Sequence, residues 1–174
     1  MPTQRSITDR MLGALRLDTA TYEEIEADPK ATGEAAFVVV ASALVAAAGY
    51  ALRLGGTVNA GFLSAIGELI AWGLYALFAY FVGAKLIPGP STKSSWSEVA
   101  RTLGYATTPR FLLILVAIPG LGGVVRLVVS LWILAATIVA LRSALDSGTG
   151  RAIVVAILAS IVQAVVIGLI GGLF

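Results

Sequence analysis

Residues 152–173, AIVVAILASIVQAVVIGLIGGL, form an uncharged stretch of 22 residues. A helix of that length crosses the hydrocarbon core of a bilayer, which is about 30 Å thick. Hydrophobic residues make up 58% of the sequence, charged residues only 13%, and the mean hydropathy is +0.93. Because so little polar surface cannot cover a globule in water, the sequence predicts an all-α polytopic membrane helix bundle.

Four further apolar stretches precede the quoted one, which predicts five transmembrane helices in total. They cover about 35–53, 60–84, 103–118 and 124–141. Residues 88–91 and 119–123 are rich in proline and glycine and predict tight connections between the helices. Pro109 interrupts the third stretch, so we expect a kinked helix from about Leu103. The five helices are expected to form one domain at 35–174.

The segment before the first span, residues 1–34, contains a pattern typical of a helix that lies on a membrane. One face of the helix expected at 5–17 is apolar, while Arg10 falls among the charged residues on the rest of its surface. The apolar face consists of Ile7, Met11, Leu12 and Leu15. We therefore expect an amphipathic helix in the headgroup plane, followed by an acidic stretch at 22–28.

Capping patterns predict where two helices begin. Asp28 followed by Pro29 predicts the N-cap and the first residue of the helix that becomes the first span. Ser95 and Glu98 match a capping box, which predicts a helix leading into the third span. On that helix we expect three residues at helical spacing to face lipid, namely Trp96, Val99 and Leu103.

The distribution of arginine and lysine predicts the orientation of the bundle. With a cytoplasmic N-terminus, ten of the twelve Arg and Lys residues lie on the cytoplasmic side, in 1–34, 85–110 and 142–151. By the positive-inside rule we expect a cytoplasmic N-terminus and an external C-terminus. The alanine- and valine-rich composition without cysteine favours the cytoplasmic membrane of a bacterium or an archaeon.

The composition excludes most of the chemistry of enzyme sites. The chain has no cysteine and no histidine, which removes disulfides, thiol nucleophiles, histidine bases and the usual zinc and haem ligands. The formal net charge is only +2, and the excess positive charge lies beside the membrane, where it favours anionic headgroups over nucleic acid. We therefore expect no catalytic residue, no metal, no cofactor and no nucleic-acid partner.

Three charged residues are predicted to meet inside the membrane. Glu68 lies well inside the second span, Arg126 falls at a comparable depth in the fourth, and the side chain of Arg110 on the kinked third span can reach the same layer. Because an unpaired charge at such depth costs several kcal/mol, we expect Glu68 to pair with Arg126 or Arg110. Such a pair can fix the register of the helices or line a polar cavity or ion route, or the charges can snorkel to the interface.

Small residues recur at every fourth position of the quoted stretch. They are Ala152, Ala156, Ser160, Ala164, Gly168 and Gly172. Lipid supplies no hydrophobic drive for helix association, so this stripe favours close packing against another helix, either in the same chain or in a second copy. Gln163, halfway along the stretch, is expected to form a hydrogen bond with a neighbouring helix.

Three segments of the chain resemble the prokaryotic branch of the Yip1 domain family. They are LGYATTP at 103–109, IPGLGG at 118–123, and ALD at 144–146 followed by GTGRA at 148–152. They occur in the order found in the family, and the resemblance covers about residues 20–174. It implies a five-helix membrane domain with a cytoplasmic N-terminus. In eukaryotic members it implies a role in Golgi and endoplasmic reticulum traffic with prenylated Rab GTPases.

Gly104, Tyr105 and Pro109 match the glycine-tyrosine and proline pattern of the family's third span. In physical terms, the glycine permits close approach of a helix, the tyrosine places a hydroxyl near the interface, and the proline makes a kink. Residues 30–34 stand in place of the family's aspartate-leucine-tyrosine-glycine-proline element. The resemblance therefore implies a Rab-type GTPase partner only if the chain is eukaryotic.

These observations together predict a non-enzymatic integral membrane protein that organises membrane or recruits partners. Its expected partners are the lipid bilayer and other membrane proteins, or a second copy of itself. The expected contact surfaces are the acidic stretch at 22–28 and the polar region at 85–102. In a competing interpretation the protein is a small transporter or channel that uses the polar layer around Glu68.

Overall fold

The computed structural model describes residues 5–90 and 92–171, and within them the backbone is helical with no strand. The helices are α1 (Ile7–Leu15), α2 (Thr19–Ala27), α3 (Ala31–Leu54), α4 (Val58–Tyr80), α5 (Trp96–Ala106), α6 (Gly122–Ala144) and α7 (Thr149–Gly171). A π-helical turn, Phe81–Leu86, extends α4, and a 3-10 segment, Thr108–Ala117, follows α5. The predicted all-α fold is confirmed.

Four helices in the described part of the chain are long and apolar enough to cross a bilayer. They are Ala31–Leu54, Val58–Leu86, Gly122–Ala144 and Thr149–Gly168. Large apolar side chains are exposed along the outer faces of α4, α6 and α7, among them Leu63, Ile70, Leu127, Leu131 and Ile157. Soluble monomers rarely expose so much contiguous apolar surface, so these faces are suited to contact with lipid.

The third predicted span departs from the expected kinked helix. The α-helical part begins at Trp96 and ends at Ala106, and the chain continues as the 3-10 segment. Pro109 has no N–H to donate to the preceding turn, which stops the α-helix. The side-chain hydroxyls of Thr107 and Thr108 donate to the carbonyls of Gly104 and Tyr105 at 2.7 and 2.6 Å, so the broken turn keeps its hydrogen bonds.

Helix α5 is the centre of the bundle and is packed against α3, α4 and α6. The capping box of Ser95 and Glu98 is present at its start, as predicted. The prediction that Val99 and Leu103 face lipid is wrong, because neighbours on three sides bury both side chains. Trp96 is exposed, and its indole N–H donates to the carbonyl of Gly73 in α4 at 3.3 Å.

The first span begins slightly later than the capping pattern predicts. Helix α3 starts at Ala31 with Lys30 as its N-cap residue, so the prediction of Asp28 as the N-cap and Pro29 as the first helical residue is wrong. One carboxylate oxygen of Asp28 accepts from the Lys30 N–H at 3.0 Å. The other accepts from Arg10 at 2.7 Å.

Helices α1 and α2 pack on the bundle rather than standing apart from it. Tyr22 and Ile25 of α2 are fully buried, and the indole N–H of Trp132 in α6 donates to the carbonyl of Leu15 at 2.9 Å. On the expected apolar face of α1, Ile7 and Met11 pack against the core while Leu12 is exposed.

The two ends of the bundle differ in what they contain. The polar end carries α1, α2 and the connecting residues 87–90, 92–95 and 145–148. The Thr92 hydroxyl ties two of these connections together by donating to the Leu145 carbonyl at 2.9 Å. The far end carries the turns 55–57 and 118–121. There the guanidinium of Arg53 donates to the carbonyl of Val116 at 3.3 Å.

Candidate functional site

The polar end contains a buried group of charges, which we call the Arg10 cluster: Arg10, Glu24, Asp28, Glu34 and Tyr105. The Arg10 side chain is 1% exposed. Its Nε lies 3.2 Å from Glu24, its Nη2 2.7 Å from Asp28 and its Nη1 2.9 Å from Glu34. The hydroxyl of Tyr105 donates to the same Oε2 of Glu34 at 2.6 Å. The cluster thereby joins α1, α2, α3 and α5.

The charges of the Arg10 cluster favour the hydrogen-bonded arrangement described above. Burial alone would lower the pKa of Arg10, but its hydrogen bonds to Asp28, Glu34 and Glu24 outweigh burial and raise the pKa. Each donor nitrogen of the guanidinium faces a separate carboxylate, an arrangement in which charge-assisted hydrogen bonds are strongest. The cluster therefore locks the N-terminal helices to the bundle through three charge-assisted hydrogen bonds.

A second arginine strengthens the docking of α2. The guanidinium of Arg101, buried in α5, donates from Nε to the backbone carbonyl of Glu26 at 2.6 Å and also donates from Nη2. This carbonyl belongs to the last turn of α2, where backbone acceptors lack helical partners. Beside it, burial together with the carboxylates of Asp146 and Glu98 raises the pKa of Glu26 to about 7.

The residues that resemble the family motif lie next to the Arg10 cluster. A Cβ atom at Gly104 would lie 2.6 Å from the Cβ of Ala35, so the glycine lets α5 and α3 approach closely, as expected. Tyr105 is fully buried and contributes its hydroxyl to the cluster, which the expected interfacial position did not anticipate. Pro109 lies at the start of the 3-10 segment.

The structure brings the three intramembrane charges around one space, which we call the Glu68 layer: Glu68, Arg110 and Arg126. Of the two partners considered for Glu68, the ion pair forms with Nη1 of Arg110. Arg126 donates to the carbonyl of Gly122 one turn earlier in α6, at 3.2 Å, and lines the same cavity. The pair is only partly buried, with side-chain exposures of 20% for Arg110 and 39% for Glu68.

Two cavities meet at the Glu68 layer. The smaller has a volume of about 320 Å³ and includes all three charged residues in its lining. The larger has a volume of about 660 Å³ and lies between α4, α6 and α7. Both are lined by Glu68, Arg110, Ser130 and Ile133, so they adjoin at the Glu68–Arg110 ion pair.

Three polar side chains around the larger cavity donate hydrogen bonds to the backbone. The Trp72 indole N–H donates to the carbonyl of Ala100 at 2.9 Å, and the Tyr75 hydroxyl donates to that of Ala156 at 3.3 Å. The amide of Gln163 donates to the Ala71 carbonyl at 2.7 Å, across to α4 as the sequence suggested. What remains facing the larger cavity is therefore mostly apolar.

The stripe of small residues in α7 is divided along its length. Ala152 and Ala156 are buried against the bundle. Ser160, Ala164 and Gly168 are exposed, and a Cβ atom at Gly168 would meet nothing within 4 Å. Gly172 lies outside the residues that the structure describes. The first half of the stripe packs within the chain, while the second half is open.

Sequence reasoning missed the Arg10 cluster. It placed Arg10 on the outer, charged part of an amphipathic helix, and this prediction is wrong because docking of α1 buries the guanidinium. Of the acidic stretch expected to be a contact surface, Glu24 and Asp28 are bound to Arg10 and Tyr22 is buried. One feature of the sequence pointed to the Arg10 cluster. Residues 1–34 contain seven acidic and four basic residues, and carboxylates in such excess favour a shared cationic partner.

A protein-family model described as Yip1 domain matches residues 12–170. The matched region contains α2 to α6 and most of α7, together with the Glu68 layer and Gly104, Tyr105 and Pro109. No curated protein and no solved structure matches the chain.

Proposed function

This chain belongs to the Yip1 domain family, and from that premise we propose that it recruits partner proteins to a membrane through a folded platform at its polar end. It is an integral membrane protein of that family. The proposed role is non-enzymatic and is carried out by surface contacts, with other membrane proteins or a second copy of this chain as partners. The proposed location is the cytoplasmic membrane of a prokaryote.

The observation that supports this proposal is the Arg10 cluster. Burying an arginine is costly unless its geometry and hydrogen bonds are nearly complete, and a segment that serves only as a tether has no need of such an arrangement. Locking α1 and α2 to the bundle fixes the positions of their exposed side chains, including Arg16, Glu23 and Lys30. A fixed surface can bind a partner without first losing conformational entropy.

In the proposed topology the chain crosses the membrane five times, with its polar end in the cytoplasm. Helix α5 and the 3-10 segment supply the third crossing, since 11 α-helical and 10 3-10 residues span roughly 35 Å. Broken backbone is tolerated at membrane depth where protein surrounds it, and α3 and α6 pack against this segment. The proposed orientation follows from the arginine and lysine distribution described above.

Site-specific photo-crosslinking in native membranes tests the recruiting role. A photoreactive residue is placed at Glu23 on the polar end or, as the matched control, at Asn59 on the far end, since both side chains are exposed. We expect discrete protein adducts from position 23 only, and we expect Arg10→Gln to abolish them. Adducts of equal yield from both positions, or no adduct from position 23, would contradict the proposal.

The competing function, a small transporter or channel, is favoured by the meeting of two cavities at the Glu68 layer. Wild-type protein and the variant Glu68→Gln are reconstituted in proteoliposomes and assayed for proton, sodium and potassium flux. Flux that depends on Glu68 would favour transport, whereas the recruiting role predicts no flux from either protein.

A further inference from the structure

We propose that the two adjoining cavities of the Glu68 layer bind one anionic phospholipid of the surrounding bilayer. The phosphate lies beside Arg126, and one acyl chain occupies the larger cavity between α4, α6 and α7. This inference goes beyond the recruiting role, because it concerns the opposite half of the bundle and a lipid rather than a protein.

The first argument is charge. Glu68 and Arg110 neutralise each other, whereas Arg126 has only a backbone carbonyl as its hydrogen-bond partner among the described residues. The three side chains therefore carry a formal charge of +1 around one space. Arg126 is exposed near the end of the bundle, and uncompensated positive charge beside a bilayer attracts anionic lipid headgroups.

The second argument is depth. Arg126 lies four residues into α6 from its start at Gly122, which places it about 6 Å below the far end of the bundle. Glu68 lies ten residues into α4 from Val58, or about 15 Å below the same end. A phospholipid presents its phosphate near the interface and its chains below, so a phosphate at Arg126 stays about 9 Å above the Glu68 carboxylate in depth.

The third argument is the shape and lining of the larger cavity. Its volume of about 660 Å³ lies within the range of about 300–1,000 Å³ that is usual for small-molecule sites. Leu134 of α6 and Ile157 and Ile161 of α7 line it and are also exposed on the outer surface. The cavity thus opens sideways between α6 and α7, and an acyl chain can enter without leaving the bilayer.

The test measures lipid retention by native mass spectrometry of the full chain released from mixed micelles. Phosphatidylglycerol and phosphatidylcholine with identical acyl chains are compared, because they differ in headgroup charge. We expect wild-type protein to retain phosphatidylglycerol preferentially. Arg126→Gln should lower this retention on the order of tenfold, the value of one charge-assisted hydrogen bond, and Arg126→Lys should largely restore it.

Two further variants separate the site from general attraction to a basic surface. Arg53→Gln removes a cation at the same end of the bundle but outside both cavities, so retention should be unchanged. Ser160→Phe fills the larger cavity without changing charge, so retention should fall as far as in Arg126→Gln. Size-exclusion elution and far-UV circular dichroism identify a variant that has failed to fold. Thr137→Leu, a smaller change in the same cavity, then replaces Ser160→Phe.

Glycerol phosphate, which has the headgroup chemistry but no chains, provides the last arm of the test. We expect it not to compete with phosphatidylglycerol. The proposal is overturned by equal losses in Arg53→Gln and Arg126→Gln, by full retention in the folded cavity-filling variant, or by competition from glycerol phosphate at concentrations similar to the lipid.

Discussion

The Arg10 cluster and the Glu68 layer are both built around arginine and carboxylate side chains, yet they are organised in opposite ways. Arg10 is 1% exposed and faces three carboxylates, so every donor nitrogen is used. In the Glu68 layer, among the described residues, the carboxylate pairs with Arg110 alone, Arg126 donates only to a backbone carbonyl, and all three side chains line a cavity. The comparison indicates that the first is a structural lock, whereas the second has the unfilled space and spare charge of a binding site.

The largest effect is expected from breaking the lock. Arg10→Met removes the shared cation of three partly buried carboxylates, of which Glu24 also pairs with Arg5, and we expect a loss of about 3–5 kcal/mol of stability in detergent micelles. Equilibrium unfolding followed by tryptophan fluorescence measures it, because Trp132 contacts α1. Arg16→Met on the same helix is the control and should change stability by less than about 0.5 kcal/mol, since Arg16 is exposed. Equal losses of stability in Arg10→Met and Arg16→Met would show that the Arg10 cluster does not lock the N-terminal helices to the bundle.

The next prediction contrasts two glycines, one beside each region. Gly104→Ala places a Cβ atom 2.6 Å from that of Ala35 and should cost about 1–3 kcal/mol, because α3 and α5 must separate. Gly67→Ala, next to Glu68, meets nothing within 4 Å and should stabilise α4 by about 0.5–1 kcal/mol through helix propensity. The same unfolding assay measures both. A loss at Gly67 comparable with that at Gly104 would mean that the Glu68 layer is as tightly packed as the lock.

A smaller loss is expected in the Glu68 layer itself. Glu68→Gln leaves Arg110 without its counterion, but both side chains are partly exposed to the cavity, so we expect about 1–2 kcal/mol, less than for a fully buried pair. Adding Arg110→Gln should recover most of this loss, because the double variant leaves no unpaired charge. An additive double variant would show that the two side chains do not interact.

The last prediction is a pH dependence at the polar end. The pKa of Glu26 is raised to about 7 from its ordinary value of 4.5, first by burial and then by Asp146 and Glu98. The folded state therefore holds this proton more tightly than the unfolded state. Its contribution to stability is complete below about pH 4.5 and is lost as the pH rises through about 7.

Glu26→Gln should remove that dependence. Melting temperatures of wild-type protein and variant between pH 5 and pH 8 provide the measurement. The wild-type melting temperature should fall with rising pH by more than that of Glu26→Gln, whereas Glu23→Gln, an exposed neighbour on α2, should behave as wild type. Parallel curves for wild type and Glu26→Gln would exclude a protonated Glu26 at neutral pH.

Features set by local sequence could be predicted. The apolar stretches, the Ser95 and Glu98 capping box and the close approach at Gly104 each depend on residues near one another in the chain or on the absence of a side chain. The sequence also predicted that Glu68 has a cationic neighbour, because an unpaired charge inside a membrane is costly whichever helices surround it.

Features set by packing between distant segments could not be predicted. Arg10 meets residues 14, 18 and 24 positions away, and the helical pattern of 5–17 alone assigned it to the outer surface. The periodicity of Val99 and Leu103 correctly identified an apolar face, but neighbouring helices rather than lipid cover it. The backbone of 108–117 approaches α3 so closely that a Cβ atom at Gly49 would lie 2.5 Å from the carbonyl oxygen of Leu113, and neither segment alone indicates this contact.

The central claim is that the Arg10 cluster locks α1 and α2 onto the membrane bundle. Hydrogen–deuterium exchange of the full chain in lipid nanodiscs tests it most directly. We predict slow exchange of the α2 amides in wild-type protein and fast exchange in Arg10→Met, with α3 and α6 protected in both. Fast exchange of α2 in wild-type protein, or equal protection of α2 in wild type and Arg10→Met, would contradict the claim.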